Sequence, residues 1–357
     1  MKFVQKYPKL FPFDDALNIP VNDFNLYQLM NTTKVIGCNP GDICSNVATY
    51  GVSEFGTSFV RGLLEEAKPS TFAELVKVSG LSHGTDVWND NAQSLISGKA
   101  KGLPKVDFKD IIGCRDDIMV DLISFGVPAD LAFKTMEFVR KGKPTKDEDK
   151  WNGFVEKLKN YPVPDWYLWS CSKIKYMFPK AHATAYVIMA LRIAWFKLYR
   201  PIFFYSEILS KKMVAYDVQI MSGGPAVIKA ELERLKAIPS FEKKQKDEDL
   251  ITTLELSLEM TMRGYKIYMV NLEKSEATDF AVTDDLMGLY LPFGAVDGCG
   301  QTVAQSIVDA RDIKAFTTKN DFMNRTQVSK TVFKKFEDYG VFGNLPDDNQ
   351  ISLDLGI

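Results

Sequence analysis

The 357-residue sequence has few of the side chains that build metal centres. It contains only two histidines, His83 and His182, and five cysteines. Cys38 and Cys44 are separated by five residues, and no second pair or histidine lies beside them to complete a zinc site. We therefore expect no metal held by this chain, and cysteines that remain reduced thiols, as is usual in a cytoplasmic protein.

Long apolar runs and a surplus of positive charge are also missing. No stretch approaches the roughly 20 apolar residues that a membrane-spanning helix needs, and the N-terminal segment MKFVQKYPKLFPFDD lacks the apolar core of a signal peptide. The formal net charge of −2 provides no chain-wide argument for nucleic-acid binding. These absences predict a cytoplasmic protein whose contacts with any polyanion come from local patches.

A succession of amphipathic helical patterns makes up most of the chain. Apolar residues recur at helical spacing from Phe55 to Leu64, and Thr71 with Glu74 forms a capping-box pattern. Only YKIYMV and the weaker FAVTDD are typical of strands. The sequence predicts a mainly α protein, long enough for two or three domains, with a small α/β segment.

The segment FPKAHATAYVIMALRIAWFK begins a long apolar helix directly after Pro179. Lys180 and His182 fall in its first turn, where the helix dipole is already positive and a cation costs on the order of a few tenths of a kcal/mol. A bound anion reverses that cost, because backbone N–H groups, dipole and lysine together form a phosphate site. Tyr186 lies on the same face, where its ring could meet a base or sugar. The alternative is that Lys180 extends into water and His182 is an ordinary histidine.

A block of positive charge surrounds this segment. Between Cys171 and Met213 the chain carries eight Lys or Arg residues and a single acid, Glu207. A solvated face normally mixes its signs, so the block predicts contact with a polyanion. Lys175 and Arg192 belong to this block.

Two shorter segments carry further candidates. SGLSHGTDVW is typical of a loop and places Ser82 beside His83; acid–base work and simple capping both remain open there. GCRDDIM begins a helix, where Asp116 and Asp117 suit the first turn but Arg115 does not, which again indicates an anion. Adjacent carboxylates also suggest a metal, but successive helix residues point about 100° apart, so capping is favoured.

The segment FGAVDGCGQTVAQSIVDAR fits a helix–hairpin–helix motif. A hairpin containing Gly298 and Gly300 leads into a helix whose N-terminal amides can hold a DNA phosphate without reading sequence. A second, degraded copy is expected where Lys330 begins a later helix. An ordinary glycine turn between helices is the alternative. The final QISLDL suits insertion of spaced leucines into a partner's groove.

Taken in order, LSHGTDVW, IGCRDDIM, VRKGK, IKYMFPKAHATAYVIMALRIAWFK, the helix–hairpin–helix and LPDDNQISL resemble the C-terminal part of the PolC-type DNA polymerase III alpha subunit. The resemblance extends over essentially the whole chain. It implies a multi-helix fingers domain, a small α/β segment and a helix–hairpin–helix module. The implied parts are an N-terminal segment continuing from a missing palm (1–50), the fingers domain (51–215), a connecting part of the fingers and duplex-binding region (216–285), a helix–hairpin–helix DNA-binding domain (286–345) and a clamp-binding tail (346–357).

The same resemblance implies roles for individual residues. It implies contacts with the incoming dNTP from Lys180, His182, Tyr186, Arg115, Ser82 and His83. It implies contacts with primer–template DNA from Gly298, Gly300, Lys330, Lys175 and Arg192. It implies contacts with the sliding clamp from Gln350, Leu353 and Leu355. The tail differs from the family's usual Q-L-S-L-F ending, because Asp354 and Leu355 follow Leu353.

The catalytic Mg²⁺ ions of the family are held by aspartates of the palm. The acidic pairs of this chain, at 14–15, 116–117 and 284–285, do not match the palm motif. We therefore expect no catalytic residues here, no polymerisation by the chain alone, and a palm-containing N-terminal part as its partner. The alternative is a non-catalytic adaptor that binds DNA and the sliding clamp but no longer binds nucleotide.

Overall fold

The computed structural model describes residues 2–348 and is mainly helical, as predicted. Its first ten helices are α1 Lys2–Lys6, α2 Phe24–Gln28, α3 Pro40–Ile43, α4 Ser58–Ala67, α5 Phe72–His83, α6 Gln93–Ile96, α7 Arg115–Ser124, α8 Ala129–Val139, α9 Glu148–Leu158 and α10 Asp165–Lys173. The next eight are α11 Lys180–Tyr199, α12 Pro201–Lys211, α13 Val218–Ser222, α14 Pro225–Lys236, α15 Gln245–Met262, α16 Gln301–Ile313, α17 Lys319–Arg325 and α18 Lys330–Asp338. None of these helices is long and apolar enough to cross a membrane.

The chain forms two compact units. The first comprises residues up to Ile36 together with Ser45–Trp195, and the second comprises Gly37–Cys44 together with the residues from Phe196 onward. The division falls within α11. The five-part domain division implied by the resemblance stays a prediction.

In the first unit, α4 packs against α5 and α7 packs against α8. The predicted capping box at the start of α5 is confirmed: the Glu74 amide donates to Thr71 Oγ1 at 3.2 Å, and the Thr71 amide donates to Glu74 Oε2 at 3.1 Å. The prediction of a loop at Ser82 and His83 is wrong, because both residues lie in the last turn of α5. The helix extends through both residues and ends at His83, with Gly84 as its C-cap.

The segment between α10 and α11 also differs from its prediction. The helical pattern of PDWYLWSCSKIKYM predicts that α10 continues to Met177, but the helix ends at Lys173. The chain becomes extended there because Thr85 pairs with Tyr176, donating its amide to the Tyr176 carbonyl at 2.9 Å. Gly84 permits this close pairing, since a Cβ at that position would lie 3.0 Å from the same carbonyl oxygen. The bridge therefore brings the end of α5 beside the start of α11.

In the second unit, α14 packs along α15, and α15 also contacts α3 and α12. A small sheet follows, with strands β1 Lys266–Tyr268, β2 Ala281–Val282 and β3 Gly288–Tyr290 in the order β1-β3-β2. The β1–β3 pair is parallel and the β2–β3 pair is antiparallel. Both predicted strands are present in shortened form, whereas the central strand β3 was not predicted.

A charged network lies inside the second unit. Lys197 and Glu259 are both fully buried, with Lys197 Nζ 2.7 Å from Glu259 Oε1. The Tyr205 hydroxyl donates to the same carboxylate at 2.7 Å, and Arg263 donates to the Tyr205 hydroxyl at 3.0 Å. Because each charge has a hydrogen-bonded partner, the network fixes α12 and α15 against the C-terminal end of α11.

Candidate functional site

Four aromatic rings meet at the start of α11. The rings of His83, Phe178 and Tyr186 are nearly parallel, with interplanar angles of 22–29° and centroid distances of 4.7–6.0 Å. His182 meets Phe178 edge-on at 6.1 Å. Tyr186 remains 40% exposed, so the cluster forms part of the surface. The structure thus confirms that His182 and Tyr186 share a face, and it places His83 from α5 on the same spot.

Two carboxylates of α7 meet the N-terminus of α11. The backbone N–H of Lys180 donates to Asp116 Oδ2 at 2.8 Å, and Lys180 Nζ donates to Asp117 Oδ1 at 2.8 Å. Asp117 is buried and also accepts the amides of Gly113 and Cys114 at 3.0 and 2.9 Å. Capping is therefore confirmed for both acids, although Asp116 caps α11 rather than its own helix.

This arrangement changes the electrostatic argument made from the sequence. The positive end of α11 faces carboxylates of the same chain, so an external anion is not required to neutralise it. Burial acts against the charged form of Lys180, but the hydrogen bond to Asp117 and that carboxylate's charge outweigh burial and raise the pKa of Lys180 above its usual value. Half of the lysine side chain (49%) remains exposed. Lys180 is therefore a cation that a ligand can still reach.

Arg115 and Ser82 lie beside this group. The Arg115 amide donates to the Phe178 carbonyl at 3.1 Å, and Arg115 Nε is 3.7 Å from Asp116 Oδ2. Ser82 Oγ is 3.1 Å from His83 Nδ1. All six residues implied to contact dNTP therefore belong to one connected patch formed by α5, α7 and α11.

Sequence reasoning missed two members of this patch. Phe178 was given no role in the site, yet its ring contacts those of both His83 and Tyr186. Glu54 was not considered, yet its Oε2 lies 3.0 Å from His83 Nε2. Glu54 and His83 are far apart in the sequence, so no local pattern could have revealed their contact.

The basic block is not a continuous basic face. Its lysines pair with acids from distant parts of the sequence: Lys175 with Asp86, Lys180 with Asp117, Lys197 with Glu259 and Lys211 with Asp279, all at 2.6–2.8 Å. Burial of Lys197 removes it from any polyanion. Arg192 donates to the Leu17 carbonyl at 3.3 Å, and its Nε is buried without a hydrogen bond to the residues at 2–348. The count of charges along the sequence overstated the positive surface because it ignored these long-range pairs.

The predicted hairpin and its following helix are confirmed in the second unit. Gly298 has a φ of 88°, a left-handed conformation that favours glycine, and Gly300 is the N-cap of α16. Lys335 of α18 holds the hairpin, because its Nζ donates to the carbonyl and the carboxylate of Asp297 at 2.8 and 2.7 Å. Gly300, which precedes the first turn of α16, is exposed.

The second hairpin connects α17 to α18. The Ser329 hydroxyl caps α18 by accepting the Val332 amide at 3.3 Å, and the Gln327 amide donates to Ser306 Oγ of α16 at 3.0 Å. Lys330 is the exposed first residue of α18, as predicted. Two helix N-termini are thus held on one small module, which is the arrangement that a backbone-binding helix–hairpin–helix needs.

Members of the three acidic pairs are engaged with groups of the same chain. Asp116 and Asp117 are engaged by Lys180 and by backbone amides. Asp15 caps a short 3₁₀ turn, and Asp285 accepts from Thr283 Oγ1 and the Met287 amide. Across residues 2–348, no group of three His, Cys, Asp or Glu side chains is placed to hold a metal ion. The predicted clamp residues Gln350, Leu353 and Leu355 lie outside the described residues.

Comparison with known proteins identifies both parts of the chain. The family described as "Bacterial DNA polymerase III alpha subunit finger domain" matches residues 10–161, and the "Helix-hairpin-helix motif" family matches residues 264–351. The finger match begins earlier and ends earlier than the implied fingers domain at 51–215.

Proteins named DNA polymerase III PolC-type are similar over most of the chain. The protein of Streptococcus suis is 46% identical over 341 residues, that of Latilactobacillus sakei is 47% identical over 339 and that of Oceanobacillus iheyensis is 45% identical over 339. In each comparison the alignment covers 95% of this chain and 23% of the relative, so the chain spans about a quarter of these proteins. The resemblance seen in the sequence is therefore confirmed: over 95% of its length the chain is similar to a portion of PolC-type DNA polymerase III, and it contains matches to a finger domain and a helix–hairpin–helix motif.

Proposed function

We propose that this chain is the dNTP- and DNA-binding portion of a bacterial replicative DNA polymerase. The observation that carries the proposal is the patch at the start of α11, where cations and aromatic rings lie side by side on one surface. Lys180 and Arg115 supply positive charge, while His83, His182 and Tyr186 supply rings. A dNTP combines a polyanion with a flat base, so this patch matches both halves of that ligand.

The contacts suggest how a dNTP is bound. The triphosphate contacts the exposed parts of the Lys180 and Arg115 side chains. It also accepts hydrogen bonds from the first backbone amides of α11, in place of Asp116. Asp117, which is itself held by two backbone amides, fixes the position of the Lys180 ammonium group. The base or sugar lies on the exposed ring of Tyr186, whose neighbour Phe178 fixes the plane of the stack.

The two hairpins of the second unit bind the duplex. Amides at the first turn of α16, opened by Gly298 and Gly300, donate to a phosphate, and Lys330 adds a mobile positive charge. Lys175 and Arg192 add backbone contacts at the first unit by exchanging their present partners for phosphate oxygens. Contacts with phosphates carry no sequence information, so this binding should be independent of sequence and should weaken steeply with salt.

Phosphoryl transfer requires Mg²⁺ held by carboxylates that this chain's acidic pairs do not supply. When bound, the metal lowers the barrier by stabilising charge on the attacking and leaving oxygens. The residues present here fit binding and orientation of the substrate rather than the metal clamp. We therefore assign the Mg²⁺ ligands to a palm-containing partner, and the Gln350, Leu353 and Leu355 tail to the sliding clamp.

Nucleotide binding tests the proposal directly. Isothermal titration of each dNTP into the chain with MgCl₂ should show binding that Lys180→Ala weakens at least tenfold, because a charge-assisted contact is lost. Lys157→Ala provides the matched control, since Lys157 is an exposed lysine of α9 in the same unit. Unchanged binding in Lys180→Ala would refute the nucleotide role.

Primer extension tests the division of labour. The chain alone should extend no primer in the presence of Mg²⁺ and dNTPs, and addition of a palm-containing polymerase part should restore extension. Robust magnesium-dependent extension by the chain alone would overturn this assignment.

One observation favours a second function. Asp116 already accepts a hydrogen bond from the Lys180 amide, and Asp117 accepts one from the Lys180 ammonium group. The same contacts would serve an adaptor that no longer binds nucleotide. Such an adaptor would bind duplex DNA and the sliding clamp, and no dNTP would compete with Asp116. Titration calorimetry separates the two functions, because only the polymerase portion releases or absorbs heat with dNTP.

A further inference from the structure

We propose that Glu54 is a positioning residue of the nucleotide site, acting through the ring of His83. This inference rests on the function proposed above. Glu54 precedes α4, outside the helices that carry the candidate ligand-binding side chains. Its carboxylate faces His83, whose ring connects α5 to the aromatic rings at the start of α11.

Two unusual features coincide at Glu54. Its φ is 70°, in the left-handed region that a residue with a side chain occupies at a cost of about 1 kcal/mol or more. Its Oε2 is buried and has no hydrogen bond of regular geometry to any residue in the described part of the chain. That oxygen lies instead 3.0 Å from His83 Nε2. Strain and a buried carboxylate oxygen that lacks a hydrogen bond of regular geometry, both at one residue, indicate a role beyond stability.

The ring of His83 is held from both sides. Its Nδ1 lies 2.8 Å from the Ser79 carbonyl oxygen. Nε2, on the opposite edge, faces Glu54. Rotation about the Cβ–Cγ bond would break both contacts, and the plane of the ring is therefore fixed.

The fixed ring in turn orders the binding surface. His83 stacks on Phe178 with centroids 4.7 Å apart and lies 5.9 Å from the Tyr186 ring. Without Glu54, His83 can turn out of the stack, and Tyr186 gains side-chain freedom that a bound nucleotide must remove. Immobilising one such side chain makes the free energy of binding less favourable, which weakens dNTP affinity by about three- to tenfold.

The segment that carries Glu54 is anchored independently of its carboxylate. Phe55 is fully buried, and Arg61 donates to the Gly56 carbonyl at 2.6 Å. Substitution of Glu54 therefore leaves the path of the backbone intact. Glutamine keeps the length of the side chain and a polar atom facing Nε2, whereas glycine removes the side chain and suits the left-handed backbone.

The test compares Glu54→Gly and Glu54→Gln with the unaltered chain by dNTP titration calorimetry and thermal unfolding. Glu54→Gly should melt at the same or a higher temperature and bind dNTP about three- to tenfold more weakly. Glu54→Gln should bind within about twofold of the unaltered chain, since it restores the contact. Glu156→Gly is unsuitable inside α9, so Glu156→Gln, at an exposed position, serves as the matched control and should change neither property.

The outcomes separate this inference from the function on which it rests. Full affinity in Glu54→Gly, with weakened binding in Lys180→Ala, would overturn the role of Glu54 and leave the nucleotide site in place. Full affinity in both variants would overturn the site itself and the inference with it. A loss in Glu54→Gln as large as that in Glu54→Gly would also overturn the positioning role, because a restored contact would then restore nothing.

Discussion

In the proposed site, Asp116 occupies the position at the N-terminus of α11 that a nucleotide phosphate would take, so its charge should limit dNTP affinity. The Lys180 amide donates to Asp116 Oδ2 at 2.8 Å, and a phosphate that accepts this amide must take the same position. Asp116→Asn keeps an oxygen that can accept the amide and removes the negative charge. We therefore expect the variant to bind dNTP more tightly while the helix stays capped.

The magnitude follows from the exposure of the carboxylate. The Asp116 side chain is 45% exposed, so its interaction with charge at the helix end falls in the range for surface sites, about 0.3–1 kcal/mol. This corresponds to about a two- to fivefold gain in dNTP affinity. Asparagine and aspartate cap helices about equally well, so the free energy of unfolding should change by no more than about 0.5 kcal/mol.

Titration calorimetry and urea unfolding of Asp116→Asn measure both quantities. Asp165→Asn is the control, because Asp165 is an exposed acid in the first turn of α10 and should leave dNTP affinity unchanged. Unchanged or weaker dNTP binding by Asp116→Asn would refute the competition. A gain that appears equally in Asp165→Asn would show only a general effect of net charge.

Three further predictions concern other parts of the chain. Lys197→Met leaves the buried Glu259 carboxylate without its cation. The free energy of unfolding in urea titrations should therefore fall by about 3–5 kcal/mol. A fall of less than about 1 kcal/mol, which is typical of a surface ion pair, would contradict the network. Gly298→Val forces a side chain into a left-handed turn, with its Cβ 3.3 Å from the Val332 side chain. The variant should bind duplex DNA more weakly in gel-shift titrations, with unchanged dNTP affinity. Equal duplex affinity would refute the role of this hairpin in DNA binding. Deletion of residues 350–357 should abolish binding to the sliding clamp in surface plasmon resonance while duplex binding persists, and retained clamp binding would refute the tail assignment.

Local sequence signals predicted the elements that local chemistry determines. The Thr71–Glu74 capping box and the start of α7 at Arg115 both depend on residues within one turn of one another. These features stabilise a helix end in any surrounding, so the sequence reveals them. The resemblance to PolC-type polymerases depends on the same kind of short motif.

Contacts between distant segments were beyond the reach of these signals. Asp116 and Lys180 are 64 residues apart, and their hydrogen bond supplies the anion that the sequence argument sought outside the chain. Lys197 appeared to belong to a basic surface, because nothing near it indicates that Glu259 lies against it in the core. The extended pairing of Thr85 with Tyr176 likewise ended α10 earlier than its own helical pattern predicts.

We propose that the start of α11 binds an incoming dNTP, and the two histidines of the chain provide a direct probe of this binding. His83 and His182 are the only histidines in the sequence, and both rings contact Phe178 in the proposed site. In the chain labelled with ¹⁵N-histidine, addition of dNTP with MgCl₂ should shift the ring signals of both residues in a saturable manner, and Lys180→Ala should move the midpoint to higher concentration. Ring signals that stay unchanged at millimolar dNTP would contradict the claim.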